Sequence, residues 1–160
     1  MRPVLALALA ALFAGCNPGS GAHTPPPSET HIALPDTSAP TDPADAVKKY
    51  YAFLEARDFR HAYAMWGDHG LDSKQTYAQF VEGFEHTAHT KVTVTAPVSI
   101  EGAAGSSYAE VRVRVDATTT AREAQHFEGA YVVRRANDVP GATAEQLRWH
   151  FDAARLEQVP

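Results

Sequence analysis

The sequence predicts an α+β domain, three N-terminal helices packed on a four-stranded antiparallel sheet, preceded by about forty residues that do not fold with it. Three observations lead there. At Asp42 the composition changes from proline-rich to periodic. Three successive segments then repeat apolar residues with the 3.6-residue period of a helix, and four later runs alternate with period 2. Helices followed by strands, rather than interleaved with them, place the helices on one side of the sheet.

The first helix is expected over Pro43 to Ala56. Asp42-Pro43 supplies a cap and a proline at the first helical position, and Val47, Tyr50, Tyr51 and Leu54 fall at i, i+3, i+4 and i+7. Asp58 caps a second helix carrying Phe59, Ala62, Tyr63 and Trp66, which Gly67 and Gly70 end. Asp72-Ser73 opens a third, whose stripe is Tyr77, Phe80, Val81 and Phe84. Each is apolar on one side, so each must pack against something else.

The first extended run alternates Val92, Val94, Ala96, Val98 and Ile100 with polar residues. The second carries Val111, Val113 and Val115 on one face, with Arg112 and Arg114 on the other. The third, Glu123 to Ala136, has an apolar face of Phe127, Tyr131 and Val133. The fourth has Leu147, Trp149, Phe151 and Ala153 opposite Arg148, His150 and Asp152. Short glycine- and proline-containing loops between them imply an antiparallel meander with one wet face.

The 160 residues divide into three parts. Residues 1–15 read as a signal: Arg2, an apolar run from Val4 to Ala14, then Gly15 before Cys16. That run is too short to span a bilayer, which takes roughly 20 apolar residues. Residues 16–41 form a tether with six of the chain's 11 prolines and no apolar periodicity, a composition that cannot offset its own ordering entropy. Residues 42–160 are the folding unit, large enough for a core. The formal charge of −5 argues against nucleic acid as a partner, because phosphate binding needs clustered positive charge. The single cysteine excludes an internal disulfide and a multi-cysteine zinc site.

The ending Leu12-Phe13-Ala14-Gly15-Cys16 resembles the lipobox of bacterial lipoproteins. The resemblance implies a diacylglycerol thioether on Cys16, cleavage before it and N-acylation, hence attachment to the bacterial cell envelope. Asn17, rather than Asp, points to the outer membrane facing the periplasm. The phrases Ala46-Val47-Lys48-Lys49-Tyr50-Tyr51-Ala52-Phe53-Leu54, Asp58-Phe59-Arg60-His61-Ala62-Tyr63, Ser73-Lys74-Gln75-Thr76-Tyr77-Ala78-Gln79-Phe80 and Trp149-His150-Phe151 resemble the nuclear-transport-factor-2-like superfamily. That resemblance implies a cone, in which the helices cover a curved sheet, and it is compatible with binding and catalytic roles alike.

Enzymes of that superfamily place an acid, base or tyrosine inside the cone. On the apolar phase the third run offers Phe127, Gly129 and Tyr131, and the fourth Leu147, Trp149 and Phe151, with no carboxylate or histidine among them. No catalytic residue is therefore assigned, although a bulge would change which residues face inward. The interior candidates for a ligand pocket are Tyr50, Tyr51, Tyr63, Trp66, Tyr131 and Trp149. The outer phase, Arg112, Arg114, Glu128, Arg134, Arg148, His150 and Asp152, is a candidate protein-docking or homodimer surface. His86 and His89 lack a carboxylate at zincin spacing, so neither a metal nor a cofactor is expected. The expected function is a membrane-tethered, non-enzymatic binding or accessory module for an envelope protein or a small apolar ligand. A cone-type isomerase or dehydratase, an immunity-type lipoprotein neutralising a periplasmic toxin, and a purely structural lipoprotein are the alternatives.

Overall fold

The computed structural model describes residues 42–96 and 98–160. The signal, Cys16 and the tether, residues 1–41, lie outside the described residues. The element order is α1 (Pro43–Glu55), α2 (Phe59–Ala64), a 3-10 segment (Asp68–Ser73), α3 (Tyr77–Glu82), β1 (Thr87–Val94), β2 (Ser99–Ala103), β3 (Ser106–Thr119), β4 (Ala124–Ala136) and β5 (His150–Val159). This is α+β with an open antiparallel sheet.

The cap at Asp42 is formed as its residue type dictates. One carboxylate oxygen accepts hydrogen bonds from the Ala44 and Asp45 amides at 2.7 and 3.3 Å, satisfying donors that have no partner within the helix. Helix α3 begins later than expected. Thr76 and Gln79 form a reciprocal capping box, and Asp72-Ser73, read as the cap, instead closes the 3-10 segment. Trp66, read as the end of the second helix, lies beyond it, in a bridge to Phe151.

The sheet has five strands rather than four, in the order β1-β3-β4-β5, with β2 also paired to β3. The run read as one strand over Val92 to Ile100 is two. Val94 pairs with Val113 and Ser99 with Glu110, so five steps along one side oppose three along β3, and two extra residues loop out between β1 and β2. Strand β5 begins at His150, which leaves Leu147 in the preceding loop. It also carries a bulge. Val133 pairs with Phe151 but Val132 with Ala153, so Asp152 is the extra residue. Beyond it the inward phase moves to Ala154 and Leu156, which pair with Tyr131 and Gly129.

The core lies between α1 and the inner face of the sheet. Val47, Tyr50, Tyr51 and Leu54 from α1 meet Val111, Val113 and Val115 of β3, Tyr131 and Val133 of β4, and Phe151 of β5, all buried. Tyr50 is the hub of an aromatic cluster, with ring centroids 4.7 Å from Phe151, 5.4 Å from Tyr51, 6.1 Å from Tyr131 and 6.4 Å from Trp66. Such edge-on and tilted contacts favour ring packing beyond area burial alone.

Inside this cluster the hydroxyls of Tyr51 and Tyr131 are 2.7 Å apart and hydrogen-bonded to each other. Burial pushes the Tyr51 hydroxyl up to about 12 and holds the Tyr131 hydroxyl well above the ordinary tyrosine value. The pair is neutral and mutually satisfied. Tyr51→Phe or Tyr131→Phe alone strands one buried hydroxyl and is expected to cost about 1–3 kcal/mol. The double variant removes both polar groups and should recover part of that loss, as urea unfolding of the four proteins would measure. Strictly additive losses would mean that the two hydroxyls do not depend on each other.

Candidate functional site

The space between helices and sheet is filled by side chains, so the concavities lie at its rim. The larger is a cleft of about 690 Å³ at the end of the sheet where β4 stops and β5 starts. Strand pairing builds its floor. Ser106 stands at the start of β3, Arg134 faces Tyr108 and His150 in register, and Met65–Gly67 docks on the far side of β5. That last contact is held by the Phe151 amide donating to the Met65 carbonyl at 2.8 Å and the Gly67 amide donating to the Phe151 carbonyl at 3.0 Å.

The walls of this cleft are charged. On the β4 side, Arg134 donates from Nε and Nη2 to Ser106 Oγ at 3.2 and 3.1 Å and lies over the Tyr108 ring. Arg135 points to the other face, its guanidinium 4.9 Å from the Trp149 ring centroid. Its buried Nε has no hydrogen-bond partner among the described residues. Neither arginine has an ion-pair partner among them. On the opposite wall stand Asp68, Asp72 and the bulged Asp152. Asp72 lies 3.6 Å from Lys74, and its carboxylate occupies the space that a Cβ on Gly67 would need.

Between the walls, His150 Nε2 and Glu145 Oε1 are 2.9 Å apart. The hydrogen bond from His150, with the nearby charges of His150, Arg148 and His69, outweighs desolvation and holds the Glu145 carboxyl below its ordinary range. His69 sits on a backbone that is left-handed at Asp68, His69 and Gly70 in succession (φ 50°, 55° and 98°). Two non-glycine residues in that region are uncommon neighbours, and here they turn the segment against the cleft mouth. The second cleft, about 510 Å³, opens between α3 and β5 and shares Trp66, Asp72 and Asp152 with the first.

The structure separates the residues singled out in the sequence. Tyr50, Tyr51, Tyr131 and Trp149 are core side chains, at most 6% exposed. Tyr63 is partly buried and donates to the Gln75 carbonyl at 2.8 Å. Trp66 borders both clefts, and Tyr50 reaches the second. Among the outer-phase residues, Arg112, Arg114 and Glu128 lie mid-sheet. Arg112 meets Glu110 at 3.2 Å, and Arg114 meets Asp116 and Glu128 at 3.6 and 3.7 Å. Arg134, His150 and Asp152 gather at the rim cleft, and Arg148 pairs with Glu145 at 3.2 Å. The outer placement of Asp152 does not hold: as the extra residue of the bulge it borders both clefts. Arg135 falls on the apolar phase of its strand, two residues beyond Val133; a charge on that phase was the available signal.

His86 and His89 belong to a turn and to β1 rather than to a helix end, and His89 Nδ1 contacts Glu55 at 2.8 Å. No group of three or more metal-ligating side chains occurs among the described residues. Three of the carboxylates with histidine partners, Glu145, Glu55 and Asp116, titrate below their ordinary values. For Glu55, the Thr90 amide and His89 outweigh a larger single opposing effect of burial, and for Asp116 the His126 hydrogen bond leads. A carboxyl depressed in the folded state contributes stability above its unfolded pKa and loses it as pH falls through the folded value. The urea midpoint should therefore be level above about pH 5 and decline below the ordinary values of 4.5 and 3.8. Glu145→Gln should shallow that decline; an identical pH profile for the variant would remove Glu145 from the account.

No family model matches the chain, and no curated protein matches it. Among solved structures, it is similar to a nuclear transport factor 2 (NTF2-like) superfamily protein from Salmonella enterica subsp. enterica serovar Typhimurium str. LT2. The identity is 14% and the TM-score 0.39, over 69% of this chain and 92% of that chain.

Proposed function

We propose that the protein is a lipid-anchored protein of the bacterial envelope, held through Cys16. Its folded domain, of the nuclear-transport-factor-2-like cone type, is a non-enzymatic binding module that recognises its partner at the rim cleft. One observation carries the reading. The interior is packed with Tyr50, Tyr51, Tyr131 and Phe151, whereas the larger of the two rim clefts carries arginine, histidine and carboxylate side chains beside Trp66 and Phe151. A ligand with charges of its own suits these side chains better than a purely apolar one, against which they lose solvation without compensation. An isomerase or dehydratase would need an acid or base against the Tyr51–Tyr131 pair, and its ring neighbours are Tyr50 and Phe151.

The anchor and the module are tested together by native mass spectrometry of the protein purified from its own host membranes. Adducts expected are the mass of the acyl chains, lost in Cys16→Ala along with membrane attachment, and a polar ligand or protein lost in Arg134→Gln. Membrane attachment unchanged by Cys16→Ala would remove the anchor. Retention of an apolar molecule irrespective of Arg134 would remove the rim cleft as the binding site.

A further inference from the structure

We infer that the rim cleft binds a short zwitterionic peptide of about three residues, its terminal carboxylate at Arg134 and its terminal ammonium at Asp152 and Asp68. This rests on the binding-module reading and names the ligand class of that site.

The argument begins with how charge is distributed across the strands. Arg134 of β4, His150 of β5 and the Met65–Gly67 segment lie side by side in that order. Two strand spacings separate the first from the last, about 10 Å. The cations thus occupy one wall and the carboxylates of Asp68 and Asp72 the other, with Asp152 at the bulge between β5 and that wall. His150 and Glu145 are hydrogen-bonded to each other in the middle. Among the described residues Arg134, Arg135, Asp68 and Asp152 have no ion-pair partner, although they share one cleft. Opposite charges held apart on two walls match a ligand with its own opposite charges at its two ends.

The ends fit specific groups. Arg134 spends Nε and Nη2 on Ser106 Oγ, which fixes the guanidinium plane and leaves donors at Nη1 for a carboxylate. Arginine presents its donors as a planar fork suited to carboxylates. The span then sets the length. An extended chain covers about 3.3–3.6 Å per residue, so three residues reach about 10 Å, whereas the charges of a free amino acid lie too close to touch both walls. The cleft volume of about 690 Å³ accommodates a ligand of that size.

The test is calorimetric titration of the full chain with trialanine, N-acetyl-trialanine and trialanine amide at low ionic strength. Trialanine should bind, and each blocked peptide should bind about tenfold more weakly or worse, since each loses one charge-assisted contact. Arg134→Gln should weaken trialanine and abolish the difference between the acid and the amide; Asp152→Asn should abolish the difference between the free and the acetylated amine. Arg134→Lys, which keeps the charge, should retain part of the binding, and near-UV circular dichroism checks that each variant is folded. Equal affinity for all three peptides, or no heat from trialanine, overturns the zwitterion proposal. If trialanine fails while a host-derived ligand is still lost in Arg134→Gln, the peptide falls and the binding module stands. If Arg134→Gln changes neither, both fall.

Discussion

Phe151→Ala is expected to lower folding stability by about 3–5 kcal/mol, the range for removing a fully buried phenylalanine. Phe151 is fully buried, and its ring centroid lies 4.7 Å from Tyr50, 4.9 Å from Tyr131 and 5.3 Å from Trp66. It therefore joins α1, β4 and the Met65–Gly67 segment. The surrounding rings are large and held by their own neighbours, so they cannot collapse into the space left. The cavity cost adds to the lost transfer free energy. Urea unfolding followed by tryptophan fluorescence measures the loss, with Phe151→Leu as a milder comparison. A loss under about 1 kcal/mol would mean that the aromatic cluster relaxes freely and that its packing is not what holds α1 to β5.

Gly129→Ala is expected to be as damaging, although it adds one methyl group. Gly129 stands on the inward phase of β4 opposite Leu156. A Cβ there would overlap the Arg155 carbonyl oxygen, with the Arg155 carbonyl carbon and Leu156 Cα also within 3.0 Å. These are backbone atoms of the neighbouring strand, so the clash is relieved only by pulling β5 from β4 along its paired length. The backbone angle, φ 157°, also falls where a side chain is strained. A loss above about 4 kcal/mol, or failure to accumulate as folded protein, is the outcome expected for a site of this kind. Gly102→Ala in β2 is the control, because nothing lies within 4 Å of its added Cβ. Similar stability of the two variants would contradict the close approach of β4 and β5 at Gly129.

These positions also show what the sequence could and could not tell. The start of α1 was legible because Asp42-Pro43 states its cap chemically, and the alternation of β3 and β4 was legible because each has one face on the core. The break between β1 and β2 was hidden by parity. Two extra residues leave the period of 2 in phase, so Val92 to Ile100 reads as one strand. A single extra residue at Asp152 does the opposite and reverses the phase. Ala153 and Ala154, small and equally at ease on either face, gave no warning. The start of α3 was misplaced because Asp72 looked like a cap, while Thr76 and Gln79 held the stronger signal. The rim cleft was the least legible feature. It needs the bulge, the left-handed turn at Asp68–Gly70 and the loop carrying Glu145 to converge, and none of these leaves a periodic trace.

The irregular edges of the sheet have a consequence for self-association. A straight, open edge invites strand addition from a second copy. Here one edge is divided between β1 and β2 by the looped-out residues. The other is bent at Asp152, covered at its start by Met65–Gly67 and studded with exposed Arg155 and Glu157 beyond. Neither offers a long, flat ladder of unpaired amides, so copies crowded together can touch through side chains without templating one another into aggregates.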